Sequence, residues 1–379
     1  METRTKEKLI DSKNKSKHKQ NKNDYWGQIS LSKPYIIGYM SVDIDRQYFS
    51  NLSQLKYLTE IPRGPLHYDL NHNINAAVKR TTDTNNEMIS LLLQFLLDRK
   101  TYLDLQNKNI DFICYRRVLI SIMCNAFDHV EPLIISTCYY NGSIYLCTLD
   151  TLQETMKKKS RTKEEEKFCA WGYKFEQYLL SDQPNSKPVI ERPVIENEEF
   201  SLFYNASLGS HNLLYGAQID GVITTNCEVS NPPKESNVES NLDYLRNNEY
   251  VELKTNRHIE NYRQDRNFRK FKLLRCWCQC YLANLKGLLV GFRNQNGVVQ
   301  RLQWFDTQDI VEYCQNEWSP QIAIDYLNYF LSYIKSCYTA KNYSYPVSIT
   351  FQLNADKTIN VIENPKCDFL PEWYVNKGN

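Results

Sequence analysis

Apolar positions recur along this chain with two periods, about 3.6 residues and 2 residues, and the switches between them predict alternating helices and strands. Glu87 to Lys100 reads as a helix with Met88, Leu91, Leu92, Phe95 and Leu96 on its apolar side and Glu87 in its first turn. Trp171 to Leu179 reads as an amphipathic helix carrying Glu176, and Gln279 falls in another. Ser319-Pro320 is a good helix start, because proline fits the first helical position, and Ala323, Leu327, Phe330, Leu331 and Ile334 follow on one apolar face. Strands are expected at Cys114 to Met123, at Leu133 to Cys147 with a turn at Asn141-Gly142, at Leu213 to Ile223 and at Tyr250 to Thr255. Leu288 to Phe292 and Val298 to Leu302, joined through Asn296-Gly297, read as a hairpin, and residues 347 to 353 as a late or edge strand. Residues 183 to 199 and 228 to 241 read as surface loops. No internal repeat is visible, and the class this predicts is mixed α/β.

Composition adds scale and charge. With 379 residues, 42% hydrophobic and 13% aromatic, the chain can bury one large core, so residues 25 to 379 are expected to form a single domain behind a tail of residues 1 to 24. That tail holds eight Lys or Arg against four Asp or Glu, a net of +4. The whole chain is only +2, so the remaining 355 residues carry about −2 by difference. The body is therefore not a basic groove-tracking nucleic-acid binder. Lys13 to Lys22 has no acidic or apolar residue and reads as a disordered, solvated segment; its functional reading is a nuclear-localisation or RNA-tethering arm. The most apolar run, Met88 to Leu97, is short and carries Ser90 and Gln94, so no membrane span is expected, and no signal peptide either. The twelve cysteines show no Cys-x-x-Cys, and scattered spacing predicts reduced thiols in the nucleus or cytoplasm. His211 reads as structural.

Two short pairs carry the chemistry. On a strand, residues i and i+2 face one side, so Gln218-Ile-Asp220 and Glu252-Leu-Lys254 bring Asp220, Glu252 and Lys254 towards one point. Two carboxylates and a lysine suit a divalent metal beside a phosphate, and the expected reaction is metal-dependent phosphodiester hydrolysis. The bland alternative is a cross-strand ion pair on a solvated face. Glu176 adds a third carboxylate and Gln279 a nearby amide. The order helix, strand, strand, helix is that of a restriction-endonuclease-like nuclease core, with mixed β-sheets flanked by helices.

From about Gly38 to Lys335 the chain resembles the decapping exoribonuclease (DXO) family. Gly38-Tyr-Met-Ser-Val-Asp-Ile-Asp-Arg46 looks like its amino-terminal signature, Tyr115-Arg116 like its arginine motif and Gly172-Tyr-Lys-Phe-Glu176 like its helix glutamate motif. Tyr250-Val-Glu252-Leu-Lys254-Thr, Lys272 to Gln279 and Gly291-Phe-Arg293-Asn complete the set. The resemblance implies that Asp220, Glu252 and the Leu253 carbonyl are ligands of Mg or Mn, with Glu176 reaching the ion directly or through water. It implies that Lys254 and Gln279 position the scissile phosphate and the water. Arg46, Glu87, Arg116 and Ser201 fall where the family contacts the RNA 5′ end, and Arg46, Arg116, Arg117, Lys254 and Arg293 are expected to grip RNA locally. The family removes 5′ triphosphates, unmethylated caps and nicotinamide caps, and many members then degrade RNA from 5′ to 3′. Its nuclear members imply a nuclear location, with the cytoplasm as the alternative. Its yeast member partners a nuclear 5′ exonuclease, so an assembly module is a third class of function.

The chain also departs from the family pattern. Where the family has Glu, this chain has Gln218, a possible metal ligand that brings no charge. On a Coulomb scale of ~4 kcal/mol per unit-charge pair at ~4 Å and effective dielectric ~20, the loss could reach 10² to 10³ in occupancy or rate. Arg117 stands where a glycine usually follows the motif arginine, and Asn205 and Ser207 where basic residues are frequent. Arg117, Asn205 and Ser207 imply a changed substrate channel, and Gln218 points towards a diverged, Cutoff-like branch that binds and protects RNA 5′ ends. Retention of Glu176, Asp220, Glu252, Lys254 and Gln279 favours a working or weakened enzyme.

Overall fold

Strands buried on both faces need cover on both sides, and β2 (Tyr35–Val42), buried at seven of its eight residues, is such a strand. The computed structural model describes residues 7–8, 29–80, 87–99, 109–128, 131–225, 229–233, 237–339, 347–356, 358–364, 367 and 369–376. Within them β2 belongs to a ten-stranded mixed sheet. Its order is β1 (Glu7–Lys8), β17 (Thr358–Asn364), β16 (Val347–Leu353), β7 (Leu133–Tyr140), β8 (Ser143–Leu149), β6 (Phe112–Tyr115), β11 (His211–Gln218), β10 (Glu199–Leu208), β2 and β3 (Tyr48–Phe49). A second, seven-stranded mixed sheet runs β5 (Tyr68–Asp69), β15 (Val298–Asp306), β14 (Gly287–Arg293), β13 (Tyr250–Arg257), β12 (Gly221–Ile223), β4 (Tyr57–Leu58) and β9 (Leu180–Ser181). In it β13 pairs parallel with β14 and antiparallel with β12.

One apolar cluster joins the two sheets with the helices α2 (Arg116–Asn125), α6 (Leu274–Leu282) and α7 (Pro320–Thr339). A second covers the other side of the first sheet, using α1 (Ser90–Asp98) and the segment with Phe369, Leu370 and Tyr374. A third packs Trp171, Phe175 and Leu179 of α3 (Lys163–Leu179) on the second sheet. Phe175 lies where a Cβ on Gly291 would be, so glycine there lets helix and strand close up. A capping box, in which Thr162 and Glu165 satisfy each other's backbone N–H, fixes where α3 begins. No helix among the described residues is long and apolar enough to cross a membrane.

The hairpin at Asn141-Gly142 forms with both turn residues at positive φ, as its sequence demands, and β14 and β15 form the expected hairpin through Gly297. Helix α7 starts at Pro320 with Ala323, Leu327, Phe330, Leu331 and Ile334 all buried. Four expectations are corrected. Cys114 to Met123 is not one strand: β6 ends at Tyr115 and α2 follows, its less buried residues Arg117, Ser121 and Cys124 recurring at helical spacing. Leu213 to Ile223 is two strands in different sheets, β11 and β12, broken at Ile219-Asp220. Glu87 lies in a turn before α1 rather than in its first helical turn, since Met88 after it takes a positive φ that no helix continues through; Lys100 lies outside the described residues. The loop expected at 228 to 241 contains the start of α4 (Val238–Arg246), capped by Asn237. Residues 347 to 353 do form a strand, but β16 is interior, between β7 and β17. The basic segment Lys13 to Lys22 lies outside the described residues.

Candidate active site

The chain passes from one sheet to the other at Ile219-Asp220, and this crossing builds the site. Gln218 ends β11, while Asp220 precedes β12 and sits beside β13, where its Oδ2 accepts a 2.6 Å hydrogen bond from Leu253 N. On β13 the side chain of Glu252 is 2% exposed. Its Oε1 accepts from Lys254 Nζ at 2.5 Å and from Gln279 Nε2, on α6, at 2.6 Å. Its Oε2 lies 3.5 Å from an Arg116 nitrogen. Lys254 Nζ also reaches the Leu253 carbonyl at 3.0 Å and lies 4.0 Å from Asp220 Oδ2. Arg116, buried at the start of α2, donates to the backbone carbonyls of Gln279 and Gln218, both at 2.8 Å. One guanidinium thus fastens the crossing to helix α6.

Charge within this group is out of balance. Burial first, then Glu252, pushes the Asp220 carboxyl up to about 6. Burial and Asp220 hold Glu176 well above the usual carboxylate range. Burial would raise Glu252 as well, but the charges of Lys254 and Arg116 and their hydrogen bonds leave it lowered. Burial works against the Lys254 ammonium, yet Glu252 and Asp220 raise its pKa overall. Three carboxylates face two cations, and a further cation would relieve Asp220 and Glu176. Among the described residues no group of three His, Cys, Asp or Glu side chains stands ready-assembled around a metal position; Lys254 Nζ lies between Glu252 and Asp220 instead. The donor set is nevertheless all hard oxygen, from Asp220, Glu252, Glu176 and the Leu253 carbonyl, which fits Mg or Mn.

A cleft of about 160 Å³ opens beside the group, lined among others by Glu176, Gln218, Asp220, Tyr173, Arg192 and Glu199. The Gln218 side chain is exposed and, among the described residues, makes no hydrogen bond. Ser201 stands opposite it on β10, is buried, and lies 3.4 Å from Glu199 Oε1.

The remaining expected residues separate into two places. Arg46, at φ 60°, binds Glu87 through two nitrogens at 2.6 and 3.1 Å, Glu199 at 2.8 Å and the Asn197 carbonyl at 2.7 Å. Arg80 completes that network, 3.6 Å from Glu87 and 3.9 Å from Glu199. Tyr115 adjoins it; burial and the charges of Glu199 and Glu87 push its hydroxyl pKa far up. Arg117 does not join the site: it is exposed, and its charge is felt by Cys147 on β8. Arg293 stacks on Trp171 and Phe168, with 4.5 and 5.3 Å to the ring centroids.

Sequence reasoning missed Glu199, Arg80 and the cleft wall from the 183 to 199 loop. The loop is pinned to α3, since Lys174 donates to the Ile190 carbonyl and Gln177 to the Arg192 carbonyl. Its proline-rich composition read as surface; the one signal for a role was Glu198-Glu199 at the start of a strand.

Residues 32–375 match the family described as RAI1-like PD-(D/E)XK nuclease. The chain is 31% identical over 355 residues to the decapping and exoribonuclease protein Rai1 of Drosophila melanogaster, covering 91% of each. Its fold resembles that of Candida albicans Rai1, solved in complex with pU5 and Mn2+, with a TM-score of 0.74 at 20% identity, covering 92% of this chain and 96% of that one. It also resembles Scheffersomyces stipitis Rai1, solved with (3′-NADP)+ and a calcium ion, with a TM-score of 0.76 at 18% identity over 92% and 97% of the two chains.

Proposed function

The chain belongs to the RAI1-like PD-(D/E)XK nuclease family, and on that premise we propose that it is a metal-dependent hydrolase of RNA 5′ ends. Its substrates are RNAs bearing a 5′ triphosphate, an incomplete cap or a nicotinamide cap, with 5′ to 3′ degradation to follow. The observation that carries this reading is the excess of carboxylate at Asp220, Glu252 and Glu176 around Lys254. A relative's complex with a 5′-phosphorylated oligonucleotide and Mn2+ supports it.

A divalent Mg or Mn held by Asp220, Glu252, the Leu253 carbonyl and Glu176 would supply Lewis-acid polarisation of the scissile phosphate. Lys254 steadies the charge that develops on that phosphate, and Gln279, fixed by its bond to Glu252, orients the attacking water. Glu176, where it reaches the ion through a water, is placed to accept that water's proton at its Oε atoms. Arg116 acts through the two carbonyls it binds, and Arg46 and Glu87 act through Glu199 on the cleft wall. A nuclear location and a nuclear 5′ to 3′ exonuclease partner belong to the same proposal and are tested by co-purification from nuclear extract.

Gln218 supports a second reading, a protein that binds and protects 5′ ends without turnover, because its amide adds no charge beside Asp220. Release of 5′ products with Mg or Mn, from the unmodified chain, Gln218→Glu and Glu252→Ala, separates the two. Cleavage by the unmodified chain and not by Glu252→Ala establishes the hydrolase. Cleavage by Gln218→Glu alone establishes the protective binder.

A further inference from the structure

Residues 257 to 275 hold seven Lys or Arg against two Asp or Glu, whereas residues 25 to 379 taken together are net negative. Only part of that local excess is neutralised. Arg266 pairs with Glu317 at 3.3 Å and Arg269 with Asp265 at 2.9 Å. Lys272 donates to the Thr255 carbonyl, and Arg275 lies near Cys124 and Cys278. Among the described residues Arg257, Arg263 and Lys270 form no ion pair, and Arg257 and Arg263 are exposed. Two rings stand out to solvent among them, Tyr262 at 74% and Phe271 at 43% exposure, with Lys270 Nζ 4.8 Å from the Phe271 centroid.

One strand and the helical segment after it join this surface to the site. Strand β13 runs outward from buried Glu252 through Lys254 to exposed Arg257, about 17 Å at ~3.3 Å per residue. The helical segment that follows, α5 (Tyr262–Asn267), a π-helical turn (Phe268–Leu273) and α6, runs back alongside it, so that Lys272 meets Thr255 and Gln279 meets Glu252. The cations along this route lean on one another. Lys272 is lowered by burial and by Lys254 and Arg293, and Arg293 by burial and Arg257. A polyanion on the route would relieve that repulsion, and exposed rings suit unstacked bases.

We propose that the outer end of β13 and the adjoining helical turn, with Arg257, Tyr262, Arg263, Lys270 and Phe271, bind the single-stranded RNA that continues beyond the scissile phosphate. The proposal rests on the site being one for RNA 5′ ends. Its physical content is a length dependence: short RNAs reach only the buried group, and long ones also occupy the track.

The test is fluorescence anisotropy with the full chain and labelled 5′-monophosphate RNAs of four and twenty nucleotides, in EDTA so that binding is read without cleavage. The unmodified chain is expected to bind the 20-mer at least tenfold more tightly than the 4-mer. The triple variant Arg263→Ala, Lys270→Ala, Phe271→Ala should lose about tenfold for the 20-mer and little for the 4-mer, as expected for a lost base stack. Its slope of log K against log salt should fall by about 1.4, at ~0.7 per released phosphate contact on a single strand. Phe271→Trp should keep the affinity, and Lys158→Ala with Lys159→Ala, on another surface, should change nothing. Unchanged 20-mer binding by the triple variant, or an equal loss in the Lys158 and Lys159 control, overturns the track. If the unmodified chain cleaves no RNA but the length dependence and its loss hold, the hydrolase reading fails and the track stands.

Discussion

Two charged clusters in this protein are each built from basic and acidic side chains and linked through Ser201, which contacts Glu199 and pairs across the strands with Gln218, yet only one of them is balanced. Around Glu199, two arginines, Arg46 and Arg80, face two carboxylates, Glu87 and Glu199. Around Glu252, two cations face three carboxylates, and burial first, then the neighbouring carboxylates, push Asp220 and Glu176 up. A balanced network holds parts of the fold together, whereas a deficit of positive charge leaves room for an ion from solution. The contrast turns on one carboxylate and on which neighbours the fold supplies.

The largest effect is expected at Glu252. Glu252→Ala leaves Arg116 and Lys254 without their shared carboxylate, and should cost about 3–5 kcal/mol of stability. A barrier increase of about 4 kcal/mol, roughly 10³-fold in rate, should accompany it. Thermal unfolding and 5′ product release measure the two, and retained cleavage would break the assignment of this cluster as the site.

Arg46→Ala should act differently. It leaves Glu87 and Glu199 partly buried and short of a cation, for a loss of about 3 kcal/mol in stability. Turnover per folded molecule should fall far less than in Glu252→Ala. A drop in kcat as large as that of Glu252→Ala, in protein still folded by circular dichroism, would erase the distinction between the clusters.

Asp220→Asn sharpens the contrast with the opposite sign. The folded chain holds the Asp220 proton up to about 6, against an ordinary value of 3.8. Between those values the folded state binds more protons than the unfolded, so metal-free stability falls as pH rises through that window. At ~1.4 kcal/mol per pH unit the cost at pH 7 is at most about 3 kcal/mol. Denaturant melts in EDTA should therefore find Asp220→Asn more stable at pH 7 and little changed at pH 4. Mn2+ should raise the melting temperature of the unmodified chain more than that of Asp220→Asn.

The smallest effect is expected at Arg117. Its exposed side chain touches neither cluster, so Arg117→Gln should shift stability by about 0.5 kcal/mol or less and leave product release unchanged.

What the sequence by itself determined is local: the hairpin turn at Asn141-Gly142, the start of α7 at Pro320, the Glu-Leu-Lys order on β13, and the set of motifs that placed the chain in its family. Each is written in neighbouring residues, because turn geometry, first-turn proline and alternation along a strand depend on sequence separations of a few positions. The tertiary structure decided the rest. It ended one sheet's strand at Gln218, set Asp220 just before a strand of the other, and made 116–125 a largely buried helix. It also closed Arg46 onto Glu87 and Glu199, 41 and 153 positions away. Whether a carboxylate is neutralised or left wanting a cation depends on which distant charges share its buried volume, and nothing in the local pattern encodes that.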